Sequence, residues 1–102
     1  QIGRKMKLKH SRPKVSFYRR PLLAHLIAKG VNTVPLLIKS TGMPKRTIED
    51  AMSALTDLDI KCVFVGANKN GNYEIKSWGA INQSYIENNL NEIKKILQVA
   101  ID

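Results

Sequence analysis

The sequence predicts a mainly α-helical domain that carries one small β-hairpin. Three observations predict it. Apolar residues recur at helical spacing in three successive segments between Pro21 and Leu58. The second and third of these segments are joined by the short Gly-containing stretch Thr41-Gly42-Met43-Pro44. Two runs of β-forming residues, Lys61 to Val65 and Tyr73 to Lys76, then flank a loop rich in Gly and Asn. With 102 residues and 43% hydrophobic content, the chain suits one compact domain with one modest core.

Each element has its own warrant. Gln1 to Lys14 is polar and cationic without apolar periodicity, and Pro13 interrupts a helix, so residues 1–14 read as a flexible basic arm. Leu22, Leu23, Leu26 and Ile27 share one face of a first helix, with Pro21 in its first turn and Gly30 as its stop. Ser16 to Arg20 reads either as an earlier turn kinked at Pro21 or as an extended lead-in. Val31 and Asn32 form a short extended link. Thr33 caps a second helix, Pro35 fits its first turn, and Val34, Leu37 and Ile38 give its apolar face up to Thr41-Gly42. A third helix runs from about Pro44 to Leu58, with Ile48, Ala51, Met52, Leu55 and Leu58 as its buried stripe. Asn70-Gly71 marks the hairpin turn. After a bend at Trp78-Gly79, the spacing of Ile81, Tyr85, Ile86, Leu90, Ile93, Ile96 and Leu97 carries a helix through the C-terminus. The division is therefore an arm at 1–14, a folded domain at 15–80, and a C-terminal helix at 81–102 for packing or dimerisation.

Two helices joined by a short Gly-containing turn form a helix-turn-helix, and a hairpin directly after the second of them is a wing. The predicted architecture is thus a winged helix-turn-helix, with a three-helix core, a wing and a C-terminal helix. The segments Thr41 to Asp50, Leu55 to Ile60, Asn70 to Ile75 and Trp78 to Ile81 resemble a family of small, largely uncharacterised bacterial winged helix-turn-helix proteins. The likeness covers roughly residues 20–98 and implies a DNA-binding role on fold grounds. Where such proteins often carry Gly at the end of the recognition helix, this chain has Asp59.

Charge points the same way. Residues 1–48 hold twelve cations and no acid, while residues 49–102 hold the other five cations and all eight acids, so +12 and −3 make up the net +9. Such a segregated field suits a polyanion. In a recognition helix the N-terminal residues lie closest to the base edges. Arg46 is the first candidate for bidentate contact with guanine, and Lys45 serves guanine or phosphate. Thr47 suits a phosphate or the neighbouring helix. Glu49, Asp50 and Ser53 continue the polar side, where an acid accepts from cytosine or complements the helix dipole. Lys39 is a phosphate candidate. Asn68, Lys69 and Asn70 at the wing tip suit a phosphate or the minor groove, although an ordinary turn also needs Asn-Gly. Arg4, Lys5, Lys7, Lys9, Arg12 and Lys14 equip the arm for backbone or minor-groove contact.

The expected function is sequence-specific binding of double-stranded DNA in the bacterial cytoplasm, associated with the nucleoid, as a transcriptional regulator. The alternative is a winged-helix module for protein interaction or dimerisation, since fold does not dictate function. Ile86, Ile93 and Ala100 recur at seven residues and offer a homodimer seam. Catalysis, metals and cofactors are not expected. His10 and His25 are far apart with no Cys or acid spaced to join them. Gly66 to Gly71 has phosphate-loop spacing, but Asn72 stands where the motif needs Lys. Asn82-Gln83-Ser84 is more simply a helix start than a glycosylation acceptor. Cys62 is the sole cysteine and forms no intrachain disulfide, which fits a reducing compartment and a buried thiol. No apolar run is long enough for a membrane span, no secretory signal is visible, and Gln1 in place of Met fits a trimmed start.

Overall fold

A computed structural model describes residues 10–67 and 69–99. The order is α1 (Arg12–Ala28), α2 (Val34–Thr41), α3 (Lys45–Ser53) running into a 3-10 turn (Ala54–Leu58), β1 (Lys61–Val65), β2 (Asn72–Ser77), α4 (Gln83–Asn88) and α5 (Leu90–Leu97).

The first helix begins earlier than its apolar periodicity. Ser11 caps it, its side chain accepting from the Lys14 N–H at 3.2 Å, and Pro13 falls in the first turn, where a missing N–H costs nothing. Pro13 therefore opens a helix, and residues 12–14 belong to it instead of to the arm. Pro21, expected in the first turn, lies inside the 17-residue helix. Its ring is fully buried, so core packing offsets the backbone bond it forgoes. From Pro21 to Ile27 every residue is buried, while the turns before it are exposed or half-buried.

Thr33 caps α2, accepting from the Leu36 N–H at 3.3 Å. The link to α3 is fixed by Thr41, whose buried hydroxyl donates to the Leu37 carbonyl at 2.7 Å and accepts from the Met43 N–H at 3.1 Å. Gly42 supplies the left-handed C-cap. The 3-10 turn after α3 ends on Asp59 at φ 59°, so the acid adopts the conformation in which Gly is usual. Gly79 (φ 56°) crosses directly over this point, where a side chain would run into the Asp59 carbonyl, and the Ala80 N–H donates to the Leu58 carbonyl at 2.9 Å.

The strands pair antiparallel, Phe64 opposite Tyr73 and Val65 opposite Asn72, with a bulge beside Lys61 and Cys62. The Tyr73 N–H also donates to the Asn32 carbonyl at 2.9 Å, which fastens the hairpin to the link between α1 and α2. The turn at the tip is wider than the Asn70-Gly71 dipeptide suggests. The Asn70 N–H donates to the Ala67 carbonyl at 3.1 Å, and Gly66, not Gly71, has a positive φ. Gly71 is required because a Cβ would meet the Ala67 carbonyl as well as the Phe64 ring.

Asn82 starts α4, accepting from the Tyr85 N–H at 3.1 Å. The C-terminal helix is not continuous. Asn89 (φ −117°, ψ 22°) interrupts it, and its side chain donates to the Tyr85 carbonyl at 2.8 Å. The core clusters Leu22, Leu23, Leu26 and Ile27 of α1 with Leu37, Met43, Ile48 and Ala51, and with Ile86 and Ile93 of the last two helices. Ile86 and Ile93, offered as a dimer seam, are thus spent inside the monomer, and Ala100 lies outside the described residues. A second cluster joins Ala24, Leu55 and Ile60, with Trp78 packed against both. Among the described residues no helix is long and apolar enough to cross a membrane.

Candidate nucleic-acid interface

Helix α3 buries Ile48 and Ala51, with Leu55 following in the 3-10 turn. With 3.6 residues per turn, Arg46 and Ser53 then lie on the opposite, outward line, with Glu49 and Asp50 to either side. All four are exposed, as is Lys45. Pro44 is the N-cap and makes no side-chain cap bond, and the first turn contains no acid. The positive end of the helix dipole is therefore left to the Lys45 and Arg46 side chains and to whatever approaches from solvent. Lys45 and Glu49 approach to 4.0 Å, but their side chains are 69% and 53% exposed, so water screens the pair and it opens easily.

A groove runs along each flank of α3. On one side Val34, Met52, Cys62 and Tyr73, with Glu49 and Ser53 at the rim, enclose about 410 Å³ between α3 and the hairpin. Cys62 is half-buried and not fully buried as expected, and burial pushes its thiol pKa up, so it stands as a neutral thiol. On the other side a narrower groove of about 220 Å³ separates α3 from α1. Ala51 and Ala54 form its floor because small side chains let the helices approach, and Ser16, Arg19, Arg20, Thr47 and Asp50 form its walls.

The other expected residues divide clearly. Lys39 is exposed in the last turn of α2, and Lys69 and Asn70 are exposed at the hairpin tip. Thr47 is half-buried and turns toward α1. Arg12 and Lys14 are exposed at the start of α1, as helical residues. Arg4, Lys5, Lys7, Lys9 and Asn68 lie outside the described residues.

Two features were missed in the sequence. Arg19 and Arg20 reach the flank of α3 because α1 extends two turns before Pro21, and the basic pair beside Pro21 was the available signal. Phe64 and Val65 are 44% and 42% exposed on the wing. The Phe64 ring stacks edge-on against Tyr73, with centroids 5.0 Å apart, which no residue count reveals.

A family model described as a winged helix-turn helix matches residues 12–97. The chain belongs to the winged helix-turn-helix family. Its wing is the β1–β2 hairpin, and α2, the Gly42 turn and α3 are its helix-turn-helix. The fold of this winged helix-turn-helix protein is similar to the crystal structure of a DUF2131 family protein from Shewanella amazonensis SB2B. The TM-score is 0.83 at 33% identity, covering 90% of this chain and 92% of that one. No curated protein matches the sequence. The winged helix-turn-helix is in general a nucleic-acid-binding architecture and typically a non-enzymatic one.

Proposed function

We propose that this protein binds double-stranded DNA sequence-specifically and acts as a transcriptional regulator in the cytoplasm, associated with the nucleoid. The observation that carries the reading is the exposure of Lys45 and Arg46 at the outward N-terminal end of α3. That end is the part of a recognition helix that enters the major groove. Arg46 reads guanine through its planar fork, and Lys45 exchanges Glu49 for a guanine or a phosphate. Ser53, Asp50 and Glu49 follow along the groove, where the acids accept from cytosine. Thr47 and Lys39 hold phosphates. Lys69 and Asn70, with Asn68, touch the flanking backbone or minor groove. Arg12, with Arg4, Lys5, Lys7 and Lys9 of the preceding arm, adds sequence-independent attraction.

Fluorescence anisotropy with labelled duplexes tests this. Affinity falls steeply with salt, about 0.9 in logarithmic slope per phosphate neutralised. In Arg46→Ala the preference among duplexes selected from a random pool shrinks by about 1–3 kcal/mol, while binding to unselected duplex changes little. A flat salt response, or no duplex binding, removes the proposal.

The exposed Phe64 and Val65 support a second reading, a protein-interaction module. A homodimer through the C-terminal segment would have to use side chains left exposed there, such as Tyr85 at 51%. Sedimentation over a concentration series checks both the dimer and its independence from DNA.

A further inference from the structure

The groove between α1 and α3 holds two guanidiniums from one side and a hydroxyl from each. Arg19 and Arg20 are both half-buried. Among the described residues no carboxylate comes within 4.0 Å of either, although Asp50 shares the groove. Neither guanidinium makes a hydrogen bond there with a described residue. Half-buried Arg side chains with no acceptor among the described residues are free to serve a ligand that brings one. Two neighbouring guanidiniums, with the Ser16 hydroxyl on the same helix and the Thr47 hydroxyl opposite, present donors to an anion with more than one oxygen.

We propose that this groove is a phosphate site that takes a backbone phosphodiester of the duplex, at the edge of the major groove entered by α3. This rests on the duplex-binding reading above. Asp50, one helical turn on from Arg46 and exposed, lines the groove, so a duplex seated on Arg46 lies beside the groove mouth. Asp50 offsets one of the two guanidiniums, so the three charged side chains of the groove leave a net +1, which one singly charged diester balances. Arg19 and Arg20 would then clamp the strand without reading bases and fix how deeply α3 sits.

The test uses the full chain and the double variant Arg19→Gln/Arg20→Gln, which keeps the length of the side chains and removes the charge. The expected result is an affinity loss of about tenfold or more, equal for all duplexes. The logarithmic salt slope becomes shallower by about 1, and sequence ranking does not change. On unselected duplex, where no cytosine contact is at stake, Asp50→Asn moves the other way, with tighter binding. If wild type binds duplex and the double variant matches it in affinity and slope, the site is refuted and the duplex reading stands. If wild type binds no duplex, or the double variant does not fold, amide NMR titration of wild type with dimethyl phosphate and with inorganic phosphate decides. Saturating shifts with dimethyl phosphate, confined to Ser16, Arg19, Arg20 and Thr47 and their neighbours, uphold the site. No shifts, or equal shifts spread over surface lysines, overturn it.

Discussion

His25 is buried in α1, four residues after Pro21, and burial first, then Lys29 and Lys94, lowers its pKa against the opposing pull of Glu87. A folded pKa below the unfolded value of 6.5 means that the unfolded chain takes up the proton first. Stability is therefore complete above about pH 6.5, falls as pH drops through that value, and levels off below the folded pKa. Urea unfolding between pH 8 and pH 5 should show this step in wild type and lose it in His25→Leu; an unchanged step assigns the titration to another group. Single residues were legible where their chemistry is local. Thr33 and Asn82 were readable as caps because each needs only its own side chain and an N–H a few residues on. Asp59 was marked as a departure from Gly, yet its left-handed backbone is held by the chain crossing at Gly79, which no local pattern shows. Arg19 and Arg20 were passed over because their role depends on which helix lies beside them.

At the scale of elements, period and punctuation revealed most of the fold. The two strands were read to within a residue, because a polar loop bounds them and β-branched or aromatic residues fill them. The start of α1 was missed because its first turns lack an apolar face, and the signal present, Ser11 with Pro13 in the first turn, was read as a break. The C-terminal segment was read as one helix because apolar spacing continues across Asn89, where a side-chain bond to the Tyr85 carbonyl competes with the helical backbone. At the joint between the 3-10 turn and the segment after β2 the two stretches of chain cross closely. In Gly79→Ala the new methyl meets the Asp59 carbonyl and the left-handed backbone adds strain, so thermal or urea unfolding should show a loss of at least about 2 kcal/mol. A neutral result would mean that the crossing relaxes around the added methyl.

For the whole molecule, the C-terminal helices complete the core instead of waiting for a partner. Heptad spacing does not distinguish a seam between copies from packing inside one, and here Ile86 and Ile93 pack on α1. Ile93→Ala should therefore cost about 2–5 kcal/mol in a transition independent of protein concentration. A loss that vanishes on dilution would place the side chain between subunits. The segregation of charge was visible from composition, but its direction needed the fold, because only the packing of α1 on α3 brings Arg19 and Arg20 beside the outward helix. The bond from Tyr73 to Asn32 anchors the hairpin to the link between α1 and α2. Force applied to the wing is therefore passed in part to the two helices that pack against α3.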